Sequence, residues 1–299
     1  MFFTHKPKSD DESKNIAMAK YLKLIFIISI FSLCILSGVK TCFAYDYDNY
    51  NLTLQEFPKT FVYLKETFIS PIYFTPSDWN KAGLVALGAG ICYTQDTSIR
   101  DYFQQNRTGD SDNVARFFMH FGDGSFSSAI VASLYVYGEF NDDDKCKRAG
   151  LLGAESMAVN ALLTSGVKLT LRRPLPDSGL PYDTWYSKWN TIDDLAFPSG
   201  HTSSAFACAT IIATEFSDTP LIPIVAYTTA SLTALSMLDM NQHWASDILP
   251  GAALGYYTAK KIESLQTRKS TQACRESSNF AFFPMVCGES ISFLCSYSF

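Results

Sequence analysis

The sequence predicts an all-α protein: a bundle of helices that ends in a short β-like tail. Three observations carry that prediction. Residues 78–262 fall into apolar stretches separated by turn and capping residues, the pattern of packed helices. Small residues recur within those stretches, as at Ala205, Ala207 and Ala209 and at Gly251, Ala252, Ala253 and Gly255, which allows close helix approach. Only the last residues, Ile291, Phe293, Cys295, Tyr297 and Phe299, alternate as a strand does.

The elements follow in order. Residues 1–44 read as a secretory signal, with Met18 a second candidate start. Lys20 and Lys23 precede the apolar residues 24–39, and small residues at Cys42 and Ala44 suit cleavage before Tyr45. An uncleaved anchor is the alternative, although a stretch of about 16 apolar residues is short for a membrane span. Residues 45–77 form a mixed lead-in broken by Pro58 and Pro71. The helical domain spans 78–262. Its first helix runs from about Ser77 to Tyr93, followed by short helices near 98–105, 111–121 and 126–137. The acidic turn 141–144 caps a long central helix ending near Leu171, and three more helices are expected near 200–215, 220–238 and 242–262. Residues 263–299 comprise a polar linker to about 279 and the strand-like tail, which is expected to pair with the lead-in or dock on the bundle or a membrane partner. Its terminal Phe299 and alternation are similar to the last strand of outer-membrane barrels.

Charge narrows the partners. The chain carries 24 basic and 29 acidic residues, a net charge of −5. Without the six basic and three acidic residues of the leader it retains 18 and 26, a net charge of −8. That balance argues against nucleic acid and does not suggest docking on anionic lipid. Mean hydropathy is +0.03, and the apolar residues 220–238 are diluted by Thr228, Thr229, Ser231 and Thr233, so a soluble or peripheral bundle is favoured over an integral one. Cys92 and Cys208 read as buried thiols. Cys146, Cys274, Cys287 and Cys295 have the option of pairing in an oxidising envelope, with connectivity open. No Cys/His spacing resembles a zinc site, and Asp193 and Asp194 read as caps or surface charges, so no metal or cofactor is expected.

Chemistry concentrates in three blocks. Pro198-Ser199-Gly200-His201 opens a helix, whose N-terminal end attracts an anion and whose glycine lets that anion come close. Ser199 adds a hydroxyl donor. His243 and Asp247 are spaced i, i+4, so a carboxylate faces the imidazole, fixes its tautomer and leaves the other nitrogen as a nucleophile. His201 then serves as general acid to the leaving oxygen. Lys168, Arg172 and Arg173 supply cations for the oxygens of a phosphoryl group. Each block alone has a structural reading as a capped loop, a surface pair or cations at a helix end. Their order and spacing together are specific. Residues 174–197, with Tyr182, Trp185, Tyr186 and Trp189, form either a lip over the substrate or ordinary aromatic packing.

With those residues, the chain resembles the type-2 phosphatidic acid phosphatases, which share a fold with bacterial class A acid phosphatases and vanadium haloperoxidases. The resemblance covers about residues 78–262. It implies a phosphatase of the periplasm or cell envelope acting on a phosphorylated small molecule or lipid phosphate, with His243 as nucleophile, His201 as acid, Asp247 as orienting carboxylate, and Lys168, Ser199 and Gly200 at the phosphate. A peripheral or outer-membrane association stays open. Two positions depart from the family pattern: Leu175 and Met237 stand where phosphate-binding arginines are expected. Arg172 and Arg173 lie nearby as substitutes, but on a helix a two-residue shift turns the side chain by about 200°. A catalytically impaired member that binds a phosphorylated ligand or is structural is therefore the alternative. A vanadium haloperoxidase is the remote one.

Overall fold

The computed structural model describes residues 60–186, 195–278, 280–287 and 290–297, with side chains over 60–186 and 195–267. The leader, and Trp189, Asp193 and Asp194 of the long loop, lie outside the described residues. Nine α-helices are described: α1 (Thr60–Ile69), α2 (Pro76–Tyr93), α3 (Asp96–Gln105), α4 (Gly109–Met119), α5 (Gly124–Phe140), α6 (Asp144–Leu171), α7 (Gly200–Glu215), α8 (Leu221–Asp239) and α9 (Ala245–Ser278). A hairpin of β1 (Phe280–Cys287) and β2 (Ser290–Tyr297) follows.

The helix starts are written in local chemistry. Thr75 and Asp78 form a reciprocal capping box at α2, and Thr108 with Ser111 does the same at α4. Asp123, Asp143 and Ser199 cap α5, α6 and α7 with side-chain acceptors. The long helix α6 is central: buried residues lie on every side of its first half, and α5, α7, α9 and α1 pack against it. One core cluster joins Phe103 of α3, Phe206 of α7, Tyr227 and Met237 of α8, and Ile248 and Leu249 of α9. A second joins Tyr63 of α1 to Leu152, Val159, Ile211, Ala259 and Ile262. Tyr63, fully buried, thus ties part of the expected lead-in to the bundle as a helix.

Helices α7 and α9 meet through glycine. A Cβ at Gly251 would lie 2.7 Å from the Ser199 carbonyl oxygen, and one at Gly255 would lie 2.1 Å from that of Ser203. Only a residue without a side chain allows that approach, which seats the start of α7 on the start of α9.

Three expectations are corrected. Helix α9 does not stop near 262 but runs on to Ser278, because its polar residues are good helix formers and Lys260 pairs with Glu263 at 3.0 Å. The strand-like tail, expected as one strand, pairs with itself: β2 lies antiparallel to β1, with Phe282 opposite Cys295. Cys146 is a free, buried thiol like Cys92 and Cys208; its burial comes first in pushing it up to about 11.

Much of the surface is apolar. Helix α2 exposes Trp79, Leu84, Leu87 and Ile91, α5 exposes Val136, Tyr137 and Phe140, and α8 exposes Leu221, Ile224 and Val225. Among the described residues, α8 alone is long and apolar enough to cross a membrane, by length and composition.

Candidate active site

The site is built where the end of α6 meets the beginnings of α7 and α9. Helix α6 ends when Arg172 takes a left-handed conformation, φ 48°, with its amide donating to the Lys168 carbonyl. For a residue with a side chain that conformation costs roughly 1–2 kcal/mol. It reverses the chain, so Pro174 bridges Leu195, and the Ala196 amide donates to the Arg173 carbonyl at 2.7 Å. This short pairing delivers residues 195–199 to the bundle. Because the helix has ended, helical phase does not set where Arg173 points.

Lys168, Ser199, Gly200, His243 and Asp247 come together. The Lys168 ammonium donates to the Leu195 carbonyl. A Cβ added at Gly200 would meet only the Lys168 Cε, at 3.7 Å, so the approach to the start of α7 is flanked by a cation and otherwise open. Ser199 is fully buried; its hydroxyl caps α7 by accepting from the Thr202 amide at 3.3 Å and lies 2.9 Å from the Thr202 hydroxyl. Its own amide donates to the Asp247 carbonyl at 3.1 Å, joining α7 to α9.

His243 sits in the turn between α8 and α9. The amides of Gln242 and His243 both donate to the Met237 carbonyl, at 2.9 and 3.3 Å, and Asn241 takes φ 56° to make the turn. His243 is 6% exposed and Asp247 fully buried. His243 Nδ1 lies 3.8 Å from Asp247 Oδ2, beyond hydrogen-bond distance but on the expected side of the ring. Burial, first, pushes the His243 imidazole below its ordinary value; Asp247 opposes that shift and the Lys168 charge adds to it. The ring is therefore neutral at pH 7, the state a nucleophile requires.

His201 lies on the first turn of α7. Its carbonyl and Cβ press on Gly122, where an added Cβ would come within 2.6 and 2.8 Å. Its imidazole is close enough to Asp123 to help hold that carboxyl below its usual range, after the larger effects of the Ser125 hydrogen bonds.

Arg173 is the main departure from expectation. It is fully buried, and all five of its N–H donors are engaged within the protein. Nη1 donates to Asp247 Oδ1 at 2.6 Å and to the Ser246 hydroxyl at 2.7 Å. Nη2 donates to Asp96 Oδ2 at 2.6 Å and to the Tyr182 carbonyl at 2.8 Å, and Nε donates to that carbonyl at 3.1 Å. The rings of Tyr93, Trp185 and Trp244 surround the guanidinium at 5.2, 5.0 and 5.4 Å. Arg173 thus faces Asp247 and has no donor left for a phosphate. Tyr182 and Trp185 accordingly pack around this cation.

Leu175 is half-buried and Met237 fully buried in the core. Asp96 and Ser246, absent from the sequence-based site, belong to it. Asp96 follows Tyr93-Thr94-Gln95 and is the first residue of α3, so in sequence it looks like an ordinary capping acid.

Residues 149–269 match the family model described as the PAP2 superfamily. This part of the chain belongs to the PAP2 superfamily. It carries all three sequence blocks and the three helix ends described above. A lipid A 1-phosphatase of Porphyromonas gingivalis is 51% identical over 61 residues. That match covers 20% of this chain and spans 14% of the relative's length. A transmembrane PAP2 type phosphatidylglycerolphosphate phosphatase from Bacillus subtilis aligns at 18% identity, with TM-score 0.48, covering 71% of this chain and 96% of its own. Aquifex aeolicus LpxE aligns at 18% identity, with TM-score 0.43, covering 56% and 94%.

Proposed function

We propose that this PAP2 protein is a phosphoric-ester hydrolase of the cell envelope that removes phosphate from a lipid phosphate through a phosphohistidine on His243. The observation that carries the reading is the junction of three helix ends, where buried His243 feels the Lys168 charge and the Lys168 side chain flanks the start of α7 at Gly200. His243 Nε2 attacks phosphorus while the bond to the leaving oxygen breaks, and His201 gives that oxygen its proton. Water then attacks the phosphohistidine, giving up a proton to His201, and inorganic phosphate leaves. Lys168 and Arg172 neutralise the equatorial oxygens, and the N-terminal end of α7, with Ser199 and Gly200, supports them.

Lipid is favoured over a small soluble ester by the surface. Leu84 and Leu87 of α2, Phe140 of α5 and Leu221 of α8 are each more than 60% exposed, a pattern suited to lipid contact. The lipid A 1-phosphatase relative is consistent with such a substrate.

The second reading, a catalytically impaired member, is favoured by one observation. With Met237 in the core, Leu175 apolar and Arg173 committed to carboxylates, the candidate cations reduce to Lys168 and Arg172. Losing one charge-stabilising donor costs about 3–4 kcal/mol in other enzymes. Hydrolysis of p-nitrophenyl phosphate and of phosphatidic acid in detergent micelles, measured with and without His243→Ala, separates the two. Phosphate release that is lost in the variant supports the enzyme. Equal release from both proteins, with phosphate ester binding retained, supports the impaired reading.

A further inference from the structure

Asp247 is held by more than its place on α9. Arg173 occupies its Oδ1, and the Trp244 amide donates to its Oδ2 at 2.9 Å. Behind Arg173 stands Asp96, also fully buried, 77 residues away in sequence. Asp96 accepts from the Ser246 amide at 2.9 Å, from the Ser246 hydroxyl at 2.5 Å and from Arg173 at 2.6 Å. The Trp244 indole donates to the Pro174 carbonyl at 3.0 Å, and the Trp244 ring covers the guanidinium. Every polar atom of this chain of groups is thereby satisfied by a neighbour whose own position is fixed.

We propose that Arg173 and Asp96 are positioning residues: an Asp96–Arg173–Asp247 relay, pinned by Ser246, sets the orientation and the effective charge of the carboxylate that faces His243. The assignment replaces phosphate binding as the role of Arg173. It follows from geometry. A buried guanidinium between two carboxylates divides its charge between them, so Asp96 governs how much of that charge Asp247 feels. With Asp96 present, Asp247 keeps part of its negative field for His243. Without it, Arg173 neutralises Asp247 more completely. The other charge that acts on His243 is Lys168 from α6, and the relay leaves it in place.

The relay predicts opposite effects from its two ends. Asp96→Asn should make His243 harder to protonate, and Arg173→Gln should make it easier. The test is titration of ¹³C-labelled histidine in the full chain by NMR, with His243 assigned by its loss in His243→Asn. Shifts of about half a pH unit or more are expected, downward for Asp96→Asn and upward for Arg173→Gln. This readout needs no turnover, so it stands apart from the hydrolase reading on which the role of His243 rests. In active protein, the acid limb of kcat/KM should move the same way, with kcat lowered and KM nearly unchanged. If Arg173→Gln fails to fold, Asp96→Asn decides alone: a downward shift supports the relay. An unchanged His243 titration in Asp96→Asn overturns it. So does a rise in KM without a titration shift in Arg173→Gln, which would return Arg173 to the phosphate.

Discussion

Replacing Gly251 by alanine tests how the site is held together. The new Cβ would lie 2.7 Å from the Ser199 carbonyl oxygen and 3.3 Å from both the Ser199 amide nitrogen and Cβ. Two of those three atoms are backbone, so no rotamer change relieves the contact. Restoring ordinary separation requires α7 and α9 to part by roughly 0.7 Å, against a lower contact limit of about 3.4 Å. Overpacking of this size costs about 1–3 kcal/mol, while alanine in a helix interior returns up to about 1 kcal/mol. A net loss of about 0–2 kcal/mol follows, or up to several degrees in Tm. Activity should suffer more, because the displaced turn carries Ser199 and Gly200 and bonds to the Asp247 carbonyl. A displacement approaching 1 Å at a phosphoryl-transfer site costs up to about 100-fold. Gly83→Ala is the control: nothing lies within 4 Å of its Cβ, so it should leave activity unchanged and raise stability slightly. Thermal unfolding and kcat/KM on a phosphomonoester measure both. Gly251→Ala with wild-type Tm and wild-type kcat/KM would refute the close α7–α9 seat as a determinant of the site.

Three further outcomes are expected. His243 is buried with its imidazole pushed below its ordinary value of 6.5, so the unfolded chain binds more protons than the folded one; stability contributed by the neutral ring should be present above about pH 6.5 and decline as pH falls below it, a decline that His243→Asn reduces in urea titrations at several pH values. Gly122→Ala places a Cβ 2.6 Å from the His201 carbonyl, so it should slow leaving-group departure more for a poor leaving group than for p-nitrophenolate, seen as a steeper dependence of rate on leaving-group pKa. Arg148→Met strands Glu215, which pairs with the Arg148 Nε at 3.0 Å through both oxygens while nearly fully buried, and should cost about 3–5 kcal/mol in denaturant unfolding, recovered in large part by adding Glu215→Leu.

Local chemistry made most of the bundle legible in the sequence. The acidic turn 141–144 and Ser199-Gly200 announce helix starts where the structure has them, and α7 and α8 begin and end within a residue of expectation. The polar course of residues 263–278 concealed a helix because no apolar periodicity marks it. The strand-like character of residues 280–299 was legible, but its division into β1 and β2 was not, because clear alternation begins only at Ile291. The site was legible where spacing is short: His243 with Asp247, and Ser199-Gly200-His201. It was not legible where partners are distant in sequence. Asp96 and Ser246 meet across 150 residues. The direction of Arg173 depends on a left-handed residue at Arg172 that nothing in the local sequence marks, since neither glycine nor asparagine stands there.

A nucleophilic His243 becomes covalently phosphorylated during turnover. Brief incubation of the full chain with a ³²P-labelled lipid phosphate, acid-free quenching and denaturing electrophoresis should show label on the protein. That label should be stable in base, lost in acid, and absent from His243→Ala. Label retained in His243→Ala, or turnover of the same substrate with no label trapped at any quench time, would contradict it.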